Sequence, residues 1–463
     1  MDHDNFINQN GEQLIENMED PTRSAALYIL KLQEECSLPK STVAGIVSNT
    51  KTILQETLAH VQTQVQGCLS NANIDDQNVP GLREIFKDNI TTNPFHNLET
   101  EAQQFAYYKA HFGLKEPQRI VLGRREVFKR RKGIMQQTQV NDEAYYIPLL
   151  DSLQQLLNDE FILEEIKNPH VSIDGLMRDY CDGYQFKMHP LFSVKPTALQ
   201  IMLYYDDLET CNPLGSRATI HKLGAFYYTL GNINPLNRSS MKAIQLLCLC
   251  KTSNIKQYGI NAVLGPFMAD LKKLEQDTGH PFTVQGTEQN FCGSIVYTSA
   301  DNLGAQQLGG FKESCSAHRP CRYCLATAEE MKSKFHEKDF VLRTKEDYKD
   351  QINQVETYGE HFSKTYGLNR RSILNESDYY HVIGGLPPDI MHDILEGVLQ
   401  YETKEMLKHY IKVERYLTLE ILNDRIAKYD FGYYNDSNRP SPITEQKLSS
   451  NDNNLKQHGK FKS

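Results

Sequence analysis

The sequence contains no tryptophan, although it carries 25 tyrosines and 19 phenylalanines, so its aromatic contacts are built from Tyr and Phe alone. It has no run of about 18 apolar residues, which argues against a helical membrane span. Its opening residues, MDHDNFINQNGEQ, are acidic and polar and lack the apolar core of a secretory signal. Ten cysteines in 463 residues are too dilute for a disulfide scaffold. That usage points to an intracellular protein with reduced thiols. Nor is there a basic excess: the formal net charge is −9, so contact with a polyanion needs a local basic face. No internal repeat is visible. The chain is 39% hydrophobic and 24% charged, which reads as soluble and globular, and its length suffices for two or three domains.

Residues 1–20 are polar and read as a disordered N-terminus. Residues 21–170 read as a mainly helical N-terminal region. Ala26, Leu27 and Leu30 recur at helical spacing, Leu38 and Pro39 break the run, and Ser41 can cap a second helix through Val43, Ile46, Ile53, Leu54 and Leu58. NVPGLREIF and YYKAHFG read as brief helical pieces. The densest basic run is RREVFKRRK, with Arg124, Arg125, Lys129, Arg130, Arg131 and Lys132. It suits a solvated helix face, a nuclear-import signal or a DNA-backbone contact. Residues 145–166 have the pattern of an amphipathic helix.

Residues 198–325 change character. ALQIMLYYD, GAFYYTLGNI (after a Pro-Leu-Gly turn) and MKAIQLLCLC are strand candidates, INAVLGPFMADLKKLEQ has helical spacing, and TVQGTEQNFCGSIVYTSAD ends in a fourth strand. The expected order is strand, strand, strand, helix, strand, with acids closing the first and last strands. That order predicts an α/β fold: a ribonuclease-H-like mixed sheet core between an N-terminal helical region and a helical C-terminal part. In such a sheet the first and fourth strands are parallel neighbours, so their ends bring two carboxylates together. Hard oxygen ligands of this kind hold Mg2+ or Mn2+ for two-metal phosphoryl transfer. Asp206 and Asp301 are the candidate catalytic, metal-binding residues, with Asp207 the neighbouring alternative to Asp206. Successive strand residues point to opposite faces, so only one of that pair faces the site. A single Asp at a strand end is ordinarily a turn or cap residue.

Cys321 and Cys324, in HRPCRYC, have the spacing that grips Zn2+ from a tight turn, but make only half of a four-ligand site. Cys315 and His318 could complete it locally, although four ligands so close in sequence strain one tetrahedron. A distant segment is the alternative source of ligands, and ordinary reduced cysteines are the plain reading. Residues 326–430 read as a helical insertion and C-terminal region. Within it LPPDIMHDILEGVLQYETKEMLKHYI starts at two prolines and sets Ile390, Ile394, Leu395, Val398 and Leu399 on one side. His392 and Glu396 share a helix face at i, i+4. They suit metal ligation or substrate positioning, or a capping and packing role. The tail, 431–463, is polar and expected to be disordered.

Three strings, LYYDDLETCNPLGSRATIHKLGAFYYTLGNI, ADNLGAQQLGGFKESCSAHRPCRYCLA and GLPPDIMHDILEGVL, together resemble DDE transposases of the CACTA (EnSpm) group over about residues 20–430. The resemblance implies a nuclear, transposon-derived protein that cuts and joins DNA at transposon ends with divalent metal, with self-association as a further expectation. Asp206 corresponds to the first acid, Asp301 to the second, and Cys321 and Cys324 to the paired cysteines of an insertion domain. The Asp301-to-cysteine spacing also resembles that of the V(D)J recombinase catalytic subunit. The sequence departs from the pattern downstream. It lacks the histidine pair that completes the zinc site and the Arg-Phe-Glu-Ala-Lys-His string that carries the third acid. The expectation is therefore a C-terminally truncated, inactive transposase-type chain. The alternatives are a non-catalytic DNA- or protein-binding module of the same ancestry, and an α/β scaffold with no nucleic-acid role.

Overall fold

The stretch Leu199-Gln-Ile-Met-Leu is apolar at nearly every position, which suits a strand covered on both faces. In the computed structural model this stretch opens the third strand of a mixed sheet, and it is buried throughout. The structure describes residues 21–79, 82, 86, 93–131, 134–172, 174–209, 221–432 and 440–450. The expectations for 1–20, most of NVPGLREIF, the Pro-Leu-Gly turn, Lys132 and most of the tail lie outside them. Two compact units result, Met1–Glu116 and Pro117–Ser463.

The first unit is helical: α1 (Pro21–Leu30), α2 (Lys40–Asn71) and α3 (Glu101–His111). Pro39, not Ser41, occupies the cap of α2, and no side chain caps it. A buried cluster of Ala26, Ile29, Val43, Phe95, Leu98 and Tyr108 holds this unit.

The second unit is mixed α/β. Its strands are β1 (Gln118–Arg131), β2 (Ile134–Tyr146), β3 (Leu199–Glu209), β4 (Lys222–Leu230), β5 (Gln245–Lys251), β6 (His280–Val284), β7 (Thr287–Phe291) and β8 (Gly293–Ala300). Six of them form one sheet in the order β1-β2-β5-β4-β3-β8. All its neighbours are antiparallel except β3 and β8, which are parallel. The α-helices of seven or more residues up to Tyr366 are α4 (Leu149–Leu156), α5 (Glu160–Lys167), α6 (Thr252–Tyr258), α7 (Ile260–Leu274), α8 (Asn302–Gly309), α9 (Lys345–Tyr358) and α10 (Glu360–Tyr366). The main core joins Leu199, Ile201, Leu203 and Tyr205 of β3 to Val263, Phe267 and Leu271 of α7. Met202 faces the other side, against Leu191, Phe192 and Val296.

The three strand candidates, the helix and the final strand all form where the sequence places them. A β6–β7 hairpin, turned at Gln285 and Gly286 (φ 49° and 78°), is added between α7 and β8. Two expectations are corrected. The basic run through Arg131 is not a helix face, because residues 118–131 and 134–146 form β1 and β2 within the region expected to be mainly helical. Tyr145 and Tyr146 end β2, and the expected single helix is two, separated at Asp159, whose carboxylate caps α5. After Pro387-Pro388 the chain winds as a π-helix over Met391–Val398 before α11 (Leu399–Lys408). Its apolar side stays exposed, with Ile390 at 67% and Leu395 at 50%.

Candidate metal and phosphoryl-transfer site

The parallel register of β3 and β8 ends with Tyr205 opposite Ala300. One residue further along each strand path stand Asp206, after which β3 continues for three more residues paired to β4, and Asp301, just past the end of β8. Strand alternation separates Asp206 from Asp207. Asp207 lies on the side of Tyr205, whose hydroxyl donates to it at 3.2 Å; Thr252 Oγ1 donates at 3.0 Å and Lys222 Nζ lies 3.7 Å away. Asp206 lies on the side of Tyr204, whose hydroxyl donates to Oδ2 at 3.3 Å, while its Oδ1 accepts the Asp207 amide at 2.7 Å. The two aspartates therefore face opposite sides of the sheet with different partners.

Asp301 is the N-cap of α8, accepting the Gly304 amide at 2.6 Å. Gly304 is required there, since a Cβ would lie 2.9 Å from the Tyr205 ring and 3.0 Å from Asp301 Oδ1. The cap role that a strand-end Asp ordinarily plays is thus realised, and it leaves Oδ2 for other partners.

The segment after Pro387-Pro388 is fastened to the same place. Arg322, 7% exposed, donates from Nη1 to Asn302 Oδ1 at 2.8 Å and from Nη2 to the Pro387 carbonyl at 3.3 Å. Tyr323 donates to the Leu386 carbonyl at 3.0 Å, and Asn302 Nδ2 donates to Asp393 at 2.5 Å. The two residues between the cysteines therefore hold the 386–393 stretch against the start of α8. Asp389 accepts the Met391 amide at 2.9 Å and bonds the His392 ring. Burial pushes the Tyr204 hydroxyl up to about 12, and Asp206, Asp389 and Asp301 push it in the same direction. The Asp389 hydrogen bond raises the His392 imidazole, with Glu396 and Asp301 adding to it. The Tyr204 hydroxyl thus lies within electrostatic reach of carboxylates from β3, β8 and the post-proline segment, and Asp301 acts on the Tyr205 hydroxyl as well.

The donor set is right in kind for Mg2+ or Mn2+, because it consists of carboxylate oxygens. It is not closed around one point. Among the described residues a single group of three ligand atoms lies within 4.8 Å, and it is His170, Asp179 and Cys181. Nothing in the sequence marks this group, because its spacing matches no ligand pattern. Asp179 is already used there: Arg238 grips it through two bonds of 2.9 and 2.6 Å, and His170 Nε2 bonds it at 2.7 Å. Burial pushes the Cys181 thiol up to about 11, helped by Asp179 and Asp182.

For zinc at Cys321 and Cys324 the residues present do not fit. Both thiols are free, and burial raises that of Cys324, with Cys321 beside it adding to the rise. Beside them lies the guanidinium of Arg343, held by the carbonyls of Cys321 at 3.1 Å and Tyr366 at 2.7 Å. Burial lowers Arg343 to about 10, and the two cysteines pull it back upward. A fixed cation beside two thiols opposes a second cation. Neither Cys315 nor His318 joins them within 4.8 Å. Of the basic run, Arg124, Arg125, Lys129 and Arg130 lie exposed on β1, far along the sequence from the acids, and Arg131 is described by its backbone alone.

No known family matches the chain, and no curated protein matches it. No helix among the described residues is long and apolar enough to cross a membrane.

Proposed function

We propose that this chain is a nuclear transposase-type protein on a ribonuclease-H-like core. Its ancestral chemistry is divalent-metal-dependent cleavage and joining of DNA phosphodiesters, with Asp206 and Asp301 as the metal-binding carboxylates. One observation carries the reading: β3 and β8 are parallel neighbours whose register puts Asp206 and Asp301 each one residue past their last pair, Tyr205 with Ala300. The strand order β5-β4-β3-β8, antiparallel up to the last pair, is the arrangement this reading requires. Asp206 and Asp301 would hold the ion, which when bound supplies charge stabilisation to the attacking and leaving oxygens of a phosphodiester. Asp389 is a third acid nearby, but His392 and the Met391 amide already occupy it.

A second reading, a non-catalytic DNA- or protein-binding module, is favoured by the engagement of Asp301 as a helix cap and by the open donor set. Titration with Mn2+, together with a plasmid-nicking assay in Mg2+ or Mn2+, separates the two. The transposase reading expects Mn2+ binding that falls at least tenfold in both Asp206→Asn and Asp301→Asn, with little or no nicking by the parent chain. Any nicking that does occur should be lost in Asp301→Ala. Mn2+ affinity unchanged in both variants would defeat the metal assignment and leave the binding module.

A further inference from the structure

Beyond their base, β1 and β2 pair only with each other. Their ladder runs from Gln118↔Tyr146 to Arg131↔Ile134, whereas β2 meets β5 only through Ala144, Tyr145 and Tyr146. The part outward of Gly123 and Asp142 is therefore a two-stranded ribbon beyond the sheet. Residues 124–130 span roughly 23 Å of it at about 3.3 Å per residue. A bare ribbon of this kind is marginal in water, and here its base is locked. Arg125 Nε donates to Asp142 Oδ1 at 2.7 Å, and the Tyr258 hydroxyl donates to Oδ2 at 3.0 Å. Gly123, at a shift in register, lies so close to the Tyr258 ring that a Cβ would come within 2.5 Å of it.

The ribbon's chemistry is unlike the rest of the chain. Residues 124–130 carry Arg124, Arg125, Lys129 and Arg130 against Glu126 alone, in a chain of net charge −9. Residues 134–141 carry no charge and four side-chain amides: Gln136, Gln137, Gln139 and Asn141. Arg124, Phe128 and Arg130 share one face with Met135, the partner of Arg130. On that face Phe128 is 67% and Met135 60% exposed. Cations for phosphates, amides for base edges and an exposed apolar pair near the tip form one set. A groove of duplex DNA accepts a two-stranded ribbon, and apolar side chains of such ribbons can wedge against base steps.

We infer that the β1–β2 ribbon is a duplex-DNA-binding arm, with Arg124, Lys129 and Arg130 on phosphates and Phe128 and Met135 against the bases. The choice of DNA rests on the proposed function, but binding needs no metal, so the two are tested apart. The assay is fluorescence anisotropy of the full chain with a fluorescein-labelled 30-base-pair duplex, in EDTA, between 50 and 200 mM KCl. In Arg124→Gln/Lys129→Gln/Arg130→Gln, affinity at 50 mM KCl should fall at least tenfold. The slope of log affinity on log salt should fall by about 2 to 3. Arg124→Lys/Arg130→Lys should keep the parent slope. Phe128→Ser/Met135→Ser should weaken binding with the slope unchanged. The inference is overturned if the parent does not bind duplex, or if the triple variant binds within twofold and with the parent slope. It is also overturned if the ribbon variants convert a dimer to a monomer in sedimentation while DNA binding is unaltered, which would make the ribbon a self-association edge. DNA binding lost with the ribbon while Mn2+ affinity ignores Asp206 and Asp301 would support the arm and reject the metal site.

Discussion

His392 shows how a side chain can serve as cap partner and electrostatic reporter together. Its imidazole is raised by the bond to Asp389. Burial pushes Asp389 up, but the bonds from the His392 ring and amide outweigh that and hold it below its ordinary value. A raised histidine stabilises fully below its unfolded pKa of about 6.5, and that contribution is lost as pH rises through the raised value. A lowered carboxylate gives the acid limit, its contribution being lost as pH falls through the depressed value. The pair is therefore strongest between the two. In Asp389→Asn, NMR titration should find the His392 pKa shifted down toward the ordinary histidine value; an unshifted titration would remove Asp389 as the cause. The same scale explains Asp206 and Asp207. They are indistinguishable in composition, and strand alternation sends them to opposite faces with different partners.

At the scale of elements, Arg322 is the fastener. It joins the start of α8 to the Pro387 carbonyl, and its plane lies over the Tyr323 ring with its Cζ 4.7 Å from the centroid. Charged hydrogen bonds of this sort contribute about 1.5–3 kcal/mol each when buried. Arg322→Ala should therefore lower the thermal midpoint and speed amide exchange across 386–398, while β3 and β8 stay protected. Equal exchange in parent and variant would show that the segment is held by something else. The ribbon makes a second point at this scale. Its alternation is obscured by cations at adjacent positions 124–125 and 129–130, so its period resembles a polar helix face. Only pairing with β2 reveals it as a strand.

At the scale of the whole molecule, the two units carry separate cores, one around Ile29 and Leu98 and the other around the sheet and α7. Each core can melt on its own account. Calorimetry of the full chain should resolve two transitions, and residues 117–463 expressed alone should keep one of them. A single transition that disappears in that fragment would contradict independent folding. The sheet was readable in advance because short β-rich runs punctuated by turns declare themselves locally. The placement of β1 and β2 beside β5 was not, because β2 and β5 partners about a hundred residues apart leave no periodic trace, and the short β6–β7 hairpin was not distinguished from the run that ends in β8.

The sequence by itself determined β3, β4, β5 and β8, the long helix α7 and the acids near the C-terminal ends of β3 and β8, since these follow from local hydrophobic period and turn chemistry. Tertiary structure alone decided the partners of each aspartate of the adjacent pair, and that Asp301 caps a helix. It also decided that Asp389 and His392 reach that place, through Arg322 and Tyr323, and that Cys321 and Cys324 have Arg343 for a neighbour in place of ligands. The division has a physical reason. Secondary structure answers to neighbours within a few residues, whereas a site is made by groups that only long-range packing brings together.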